Sequence, residues 1–254
     1  MKIAFIILTC ENFFSEASIV KNKLSKYKIT DYANCYLASK NIEFFKENQF
    51  NHNWNMISIP NRISSWGKEL KYVLESIDEE YIFLWVDDIY PIDPINFENL
   101  FKKINDAIAY NPHLIRINSP FNRRKKIKYL GHDLYIELKK HKYISSVVLG
   151  IFNKKFLQNI VRIKDNPWEF EYNSKNRFKF NKNKFIFINN PSINIINIVV
   201  KGKILNSSFF KLDKSEKNSL INNSIHKRFN IFNEIFYLIK LWIARIFYYP
   251  NSYE

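Results

Sequence analysis

The chain has 254 residues, 46% of them hydrophobic, which allows one compact domain with a sizeable core and excludes a disordered chain. Only 4 glycines and 8 prolines exclude a collagen-like or linker-rich chain. With 39 Lys plus Arg against 24 Asp plus Glu, the formal net charge is +15, and the expected partners are anionic: phosphorylated substrates, anionic head groups or nucleic acid.

Residues Ile3 to Leu8 form a continuous apolar run, the pattern of a strand buried on both faces. No small-residue cleavage site follows, so the segment reads as a first core strand and not as a signal peptide. Ser15 to Lys26 reads as a helix. Cys10 and Cys35 have neither CxxC spacing nor a histidine cluster, which argues for two buried thiols in a reducing compartment. Thr30 to Ala38 and Asn55 to Ile59 read as strands around a helix at Ser39 to Asn48. Trp66 to Ile77 is amphipathic, with Leu70, Val73, Leu74 and Ile77 at helical spacing. Tyr81 to Val86 is a second fully apolar strand, and it stops abruptly at Asp87-Asp88. A helix over Phe97 to Tyr110 and a strand over His113 to Ile117 follow.

This alternation predicts an α/β fold over the first 120 residues, with a mostly parallel sheet flanked by helices on both faces. Ligands of such sheets bind beyond the carboxyl ends of the strands, where Asp87-Asp88 falls. The second half is less regular. Asn122 to Lys128 is a basic loop, Tyr143 to Phe152 a strand, and Lys154 to Val161 a short helix. Lys184 to Asn189 and Ile193 to Val200 read as strands. From Arg228 to Tyr249 a very wide apolar arc is interrupted by charges and carries Trp242, Tyr248 and Tyr249. That pattern suits a helix lying in a membrane interface, with a helix packed on the domain or on a second subunit as the plain alternative. No charge-free apolar run of about 18 residues exists, so no ordinary transmembrane helix is expected.

Two adjacent carboxylates repel, and the ionised pair is favoured only where a cation or hydrogen-bond donors share the site. Mg2+ and Mn2+ take oxygen ligands and commonly share one or two carboxylates with substrate phosphates. Asp87-Asp88 is therefore suited to a nucleoside-diphosphate donor, the alternative being a turn in which Asp caps a helix. Asn166, Pro167 and Glu169 form a capping-box pattern that gives Glu169 a structural task. Glu171 points to a different face near the same helix start and can serve as general base, so it is preferred over Glu169. The Gly-rich signatures of dinucleotide folds and P-loops are absent. Aromatics lie in apolar runs and are not interleaved with Lys or Arg, so no nucleic-acid partner is expected.

Four segments carry a resemblance: Thr9-Cys10-Glu11-Asn12-Phe13; Ser65-Trp66-Gly67-Lys68-Glu69-Leu70 with the acidic strand after it; Val148 to Glu171 with its NPWEFE; and Val200 to Lys203. Up to about residue 210 the chain resembles bacterial glycosyltransferases of the GT-A fold, family 2-like, that build cell-surface glycans. The resemblance implies a domain over 1–225, with a nucleotide-sugar-binding half (1–120) and an acceptor half (121–225); the wide apolar arc makes 226–254 a C-terminal membrane-associating amphipathic helix. It implies inverting, metal-assisted transfer of a hexose-like sugar from a nucleotide-sugar donor to a lipid-linked, lipooligosaccharide, lipopolysaccharide or capsule acceptor, with Mn2+ or Mg2+ as cofactor. By position, Asp88 would be the chief metal ligand, Asp87 a ribose or metal contact, and Glu171 the base, with Glu169 second. Thr9, Asn12, Trp66 and Lys68 would line the donor pocket, and His226 and Arg228 would lie over the diphosphate. The implied location is cytoplasmic, peripheral at the inner face of the inner membrane, with homo-oligomerisation left open. The family pattern has Asp-x-Asp where this chain has Val-Asp-Asp, and Asp and Lys where it has Glu11 and Asn12. Two other classes fit the residues: a non-catalytic basic membrane-associated binding protein, and another metal-dependent phosphate-transfer enzyme.

Overall fold

The computed structural model describes residues 3–43, 53–117, 127–137, 140, 144–189, 193–200 and 202–248, with backbone only for 127, 128 and 241–248. In β1 (Ile3–Leu8) the side chains alternate: Ile3, Phe5 and Ile7 enter one core, Ala4 and Ile6 the other. α1 (Phe14–Lys26), β2 (Asn34–Ser39) and β3 (Trp54–Ser58) follow, then α2 (Trp66–Glu75), β4 (Tyr81–Trp85) and β5 (Ile89–Pro91). Next come α3 (Phe97–Ile108), β6 (Leu114–Ile117), and a hairpin of β7 (Ile127–Gly131) and β8 (Leu134–Glu137). His132 and Asp133, at φ 51 and 62, supply the two left-handed residues that a tight hairpin turn requires. β9 (Gly150–Asn153), α4 (Lys154–Ile160), α5 (Pro167–Asn173) and β10 (Phe185–Ile188) complete the main sheet. The remaining elements are β11 (Ile195–Asn197), β12 (Val199–Val200), β13 (Lys203–Ile204), α6 (Asn206–Phe209), α7 (Lys214–Asn223), β14 (Lys227–Arg228) and α8 (Ile231–Tyr248).

The main sheet has nine strands in the order β3-β2-β1-β4-β9-β6-β10-β8-β7, and only β9 and β8 run against the rest. This is the Rossmann-like, mostly parallel α/β sheet expected of a GT-A fold. α1 and α3 bury Val20, Leu24, Leu100 and Ile104 on one face. α2, α4 and α5 bury Leu70, Val73, Leu157 and Phe170 on the other. Beyond the carboxyl end of β4, β5 pairs with β11, and the Ile198 amide donates to the Asp88 carbonyl at 2.7 Å.

Three expectations are corrected. The strand over 143–152 shortens to β9, because residues 144–149 turn to present amide and hydroxyl donors, with Leu149 in the left-handed region at φ 52. The strand over 193–200 divides into β11 and β12, one serving β5 and the other β13. Cys10 is exposed and only Cys35 is buried. The basic loop Asn122 to Lys128 falls, but for the start of β7, outside the described residues, as do residues 44–48 of the helix expected from Ser39.

Gly67 sits in the first turn of α2. A Cβ there would lie 2.0 Å from the Arg162 carbonyl oxygen, and the Gly67 amide donates to the Asp165 carbonyl at 3.0 Å. Both neighbours are backbone, so no side chain can swing away. Gly67→Ala is expected to cost about 2–3 kcal/mol, seen as a lower urea midpoint at unchanged m value.

Candidate functional site

The carboxyl edge of the sheet gathers the acidic pair. β1 and β4 are parallel with Ile7 opposite Trp85, so Thr9 comes level with Asp87. Thr9 is buried and its hydroxyl hydrogen-bonds to the Asp87 carboxylate. Burial, reinforced by the charge of Asp88, pushes Asp87 up to about 8. Burial also pushes Asp88 up to about 7, with Glu16 adding to it. Glu16, on the inward face of α1, is fully buried. Its Oε1 accepts from the Ser224 hydroxyl at 2.6 Å, while its Oε2 has no hydrogen-bond partner among the described residues. His226 completes the cluster: its ring lies 4.7 Å from that of Phe13, its charge opposes the upward shift of Glu16, and its Nε2 is buried without a hydrogen bond.

Burial is the largest cause of all three upward shifts, with repulsion among the carboxyls adding to it at Asp87 and Asp88 and the imidazole opposing it at Glu16. Oxygen and imidazole donors suit a hard divalent cation. Among the described residues no three His, Cys, Asp or Glu side chains are placed to hold a metal by themselves. Two carboxylates alone leave most of an ion's coordination to phosphate oxygens and water. Asp88 and Asp87 would hold it.

A second carboxylate comes to the same edge from a separate element. Asn166 caps α5 by accepting from the Glu169 amide at 2.8 Å, and the Glu169 carboxylate accepts from the Asn166 amide at 3.1 Å. Glu169 is exposed and committed to this box. Glu169→Ala is accordingly expected to lower stability by about 1 kcal/mol in a denaturant titration and to leave turnover intact. Glu171 turns inward. Its Oε1 accepts from the Ser146 hydroxyl at 2.5 Å and the Val147 amide at 2.8 Å. β9 is antiparallel to β4 with Gly150 opposite Leu84, so the residues just before Gly150 run past the end of β4. Glu171, docked on Ser146 and Val147, therefore stands on the edge that carries Asp87 and Asp88. The Arg116 guanidinium is buried beside it and interacts with both Glu137 and Glu171, which oppose the downward pull of burial.

The other expected residues divide. Asn12 is exposed in the 3-10 turn Glu11–Phe13 that follows Thr9. Trp66 is half-buried, its ring 5.6 Å from that of Phe170, and Lys68 is exposed on α2. Arg228 donates from Nε and Nη2 to Asn206 Oδ1 at 2.9 and 2.6 Å and lies 4.3 Å over the Phe209 ring, tying β14 to α6. Thr9, Asp87 and Asp88 come together, His226 reaches Glu16 beside them, and Arg228 bonds to Asn206. The sequence reading missed Glu16, Arg116 and Ser146. Glu16 carried a signal, as one acid in register with Ile19 and Val20 on the buried face of α1. Ser146 carried none, since only the turn before β9 aims it.

No family model matches the chain, and no curated protein matches it. Among solved structures it is similar to S. aureus TarS, with a TM-score of 0.49 and 10% identity over 97% of this chain and 44% of that one. S. aureus TarS 1–349 in complex with UDP-GlcNAc aligns with a TM-score of 0.46 and 12% identity, over 97% of this chain and 73% of that one. A CMP:2-keto-3-deoxy-manno-octonic acid synthetase complexed with CTP aligns at 0.45 and 12%, over 75% of this chain and 89% of that one. This chain spans less than half the length of the longer TarS structure. At such identities and scores the likeness is one of fold and says nothing of activity.

Proposed function

We propose that the chain is an inverting glycosyltransferase that moves a sugar from a nucleoside-diphosphate donor to a hydroxyl of a bacterial surface glycan. The observation that carries this reading is the placement of Glu171 on the sheet edge of Asp87-Asp88, brought there by an independent helix and held by Ser146 and Val147. Asp87 and Asp88 receive the diphosphate end of the donor, with Thr9 fixing the Asp87 carboxylate and Asn12 beside the nucleoside. A divalent ion bound there would neutralise the diphosphate as its bond to the sugar breaks. Glu171 takes the proton from the acceptor hydroxyl, whose oxygen forms the new bond to the anomeric carbon. Two donors to one of its oxygens hold the other for the proton, and Arg116 fixes the charge behind it. The acceptor we place on a membrane-linked glycan at the inner face of the inner membrane, reached through α8.

The test is a thermal-shift series with UDP, GDP, CDP, CMP and CTP, each with and without Mn2+. One nucleoside diphosphate is expected to raise the melting temperature in a Mn2+-dependent way. A response to CTP alone would assign the edge to nucleotidyl transfer; the loop Thr9 to Phe13 contains no glycine to wrap a triphosphate. Silence toward all of them would sink the donor site.

A further inference from the structure

Over Ile231 to Lys240, α8 presents an apolar surface that no other described residue covers. Phe232 is 82% exposed, Phe236 60% and Ile231 62%, with Ile235 and Ile239 about half exposed. Phe210, 67% exposed, lies just past α6, where α8 is anchored. The anchor is specific. Glu234, the only acid in α8, is 4% exposed and accepts from the Asn206 and Ser207 amides at 2.7 and 2.9 Å. Tyr237 stacks on Phe229 with centroids 6.0 Å apart. The one negative charge of the helix is thereby spent inside the protein, and the exposed residues described from Ile231 to Lys240 are apolar but for Asn233 and Lys240. Lys203 and Lys227 face each other in the β13–β14 pair that leads into α8, Lys203 lies 5.5 Å over the Phe229 ring, and Lys211 follows Phe210; all three are exposed. Among the described residues no helix is long and apolar enough to cross a membrane.

We propose that this face, α8 together with Phe210, docks in the plane of a bilayer rich in anionic lipid, a proposal that rests on the reading that α8 meets a membrane. An apolar stripe without acids, preceded by exposed lysines, matches acyl chains below and anionic head groups at its sides. A second copy is the poorer occupant, because it would bring a net charge of +15 against +15 and no acid on the facing helix. Docking here also sets the reach of the enzyme. α8 is anchored to α6, β14 joins β13, β13 joins β12, and the adjoining Ile198 amide donates to the Asp88 carbonyl. The acidic pair is one small sheet away from the docking face, so the acceptor it serves is a sugar close to the lipid head group.

Flotation of the full chain with vesicles of phosphatidylcholine alone, or with a third phosphatidylglycerol, tests this. Binding is expected to rise by about fivefold for each lysine that engages and to fall with salt. Phe232→Ser with Phe236→Ser is expected to lower partitioning by about tenfold or more. Both residues are exposed, so the Mn2+-dependent nucleotide shift should persist and report an intact fold. Equal binding to both vesicle types overturns the anionic surface while sparing membrane contact. No flotation with either type overturns both. A concentration-dependent dimer abolished by the same double substitution gives the face to a second copy and overturns the proposal.

Discussion

Glu171→Gln is expected to lower kcat by about three orders of magnitude while leaving the nucleotide-dependent thermal shift unchanged. The amide matches the carboxylate in shape, and its oxygen can accept the same bonds from Ser146 and Val147. It cannot take a proton from the acceptor. Arg116 loses one of its two anionic neighbours and retains Glu137, so the stability cost is small beside the kinetic one. Single-turnover kinetics with donor and a soluble acceptor read the loss, and the thermal shift reads donor binding separately. Turnover that survives Glu171→Gln and dies in Glu169→Gln would move the base to the capping residue, against the exposure of Glu169 and its bond to the Asn166 amide.

The central strands were legible because their physics is local. A run such as Tyr81 to Trp85, apolar at each position, has no solvated face and must lie between two layers. The same holds for α5: Asn166, Pro167 and Glu169 specify its start from three side chains, and the capping box forms as the pattern demands. The place of Asp87-Asp88 was legible because an apolar strand ending in two carboxylates leaves them at the sheet's edge. What stayed hidden depends on distant partners. β9 enters between β4 and β6 against their direction, and nothing in Gly150 to Asn153 announces that. Val147 to Leu149 looks like strand, yet its backbone turns to give donors to a glutamate 24 residues away. Arg228 reads as a cation for the diphosphate, and only the fold shows its bonds to Asn206. Glu234 reads as an interruption of an apolar helix, and only the fold shows it as the helix's anchor.

The acidic pair is expected to make the metal-free protein less stable as pH rises, and bound Mn2+ to reverse that trend. Burial holds Asp87 at about 8 and Asp88 at about 7 in the folded chain, above the ordinary carboxylate value near 4. Between about pH 4 and 8 the folded chain therefore keeps protons that the unfolded chain has released, and stability falls across that window. The favourable contribution is fully present below about pH 4 and is gone once the pH has risen through the folded values. Asp87→Asn removes the cost. It should stabilise the metal-free protein at pH 8 by about 1–2 kcal/mol, allowing for the part of the pair that reaches solvent, and much less at pH 5. The same protons compete with a cation, so the gain in melting temperature from Mn2+ with a nucleoside diphosphate should be larger at pH 8 than at pH 6. Asp88→Ala should erase that gain at both. Melting curves at the two pH values, with and without Mn2+, check all three statements. A Mn2+ response that outlasts Asp88→Ala would place the cation elsewhere. Destabilisation by Asp87→Asn at pH 8 would mean that the pair is held ionised by a positive charge. The two carboxylates cost the fold stability when it is empty, which is the expected mark of groups set in place for a cation and a diphosphate and not for the fold itself.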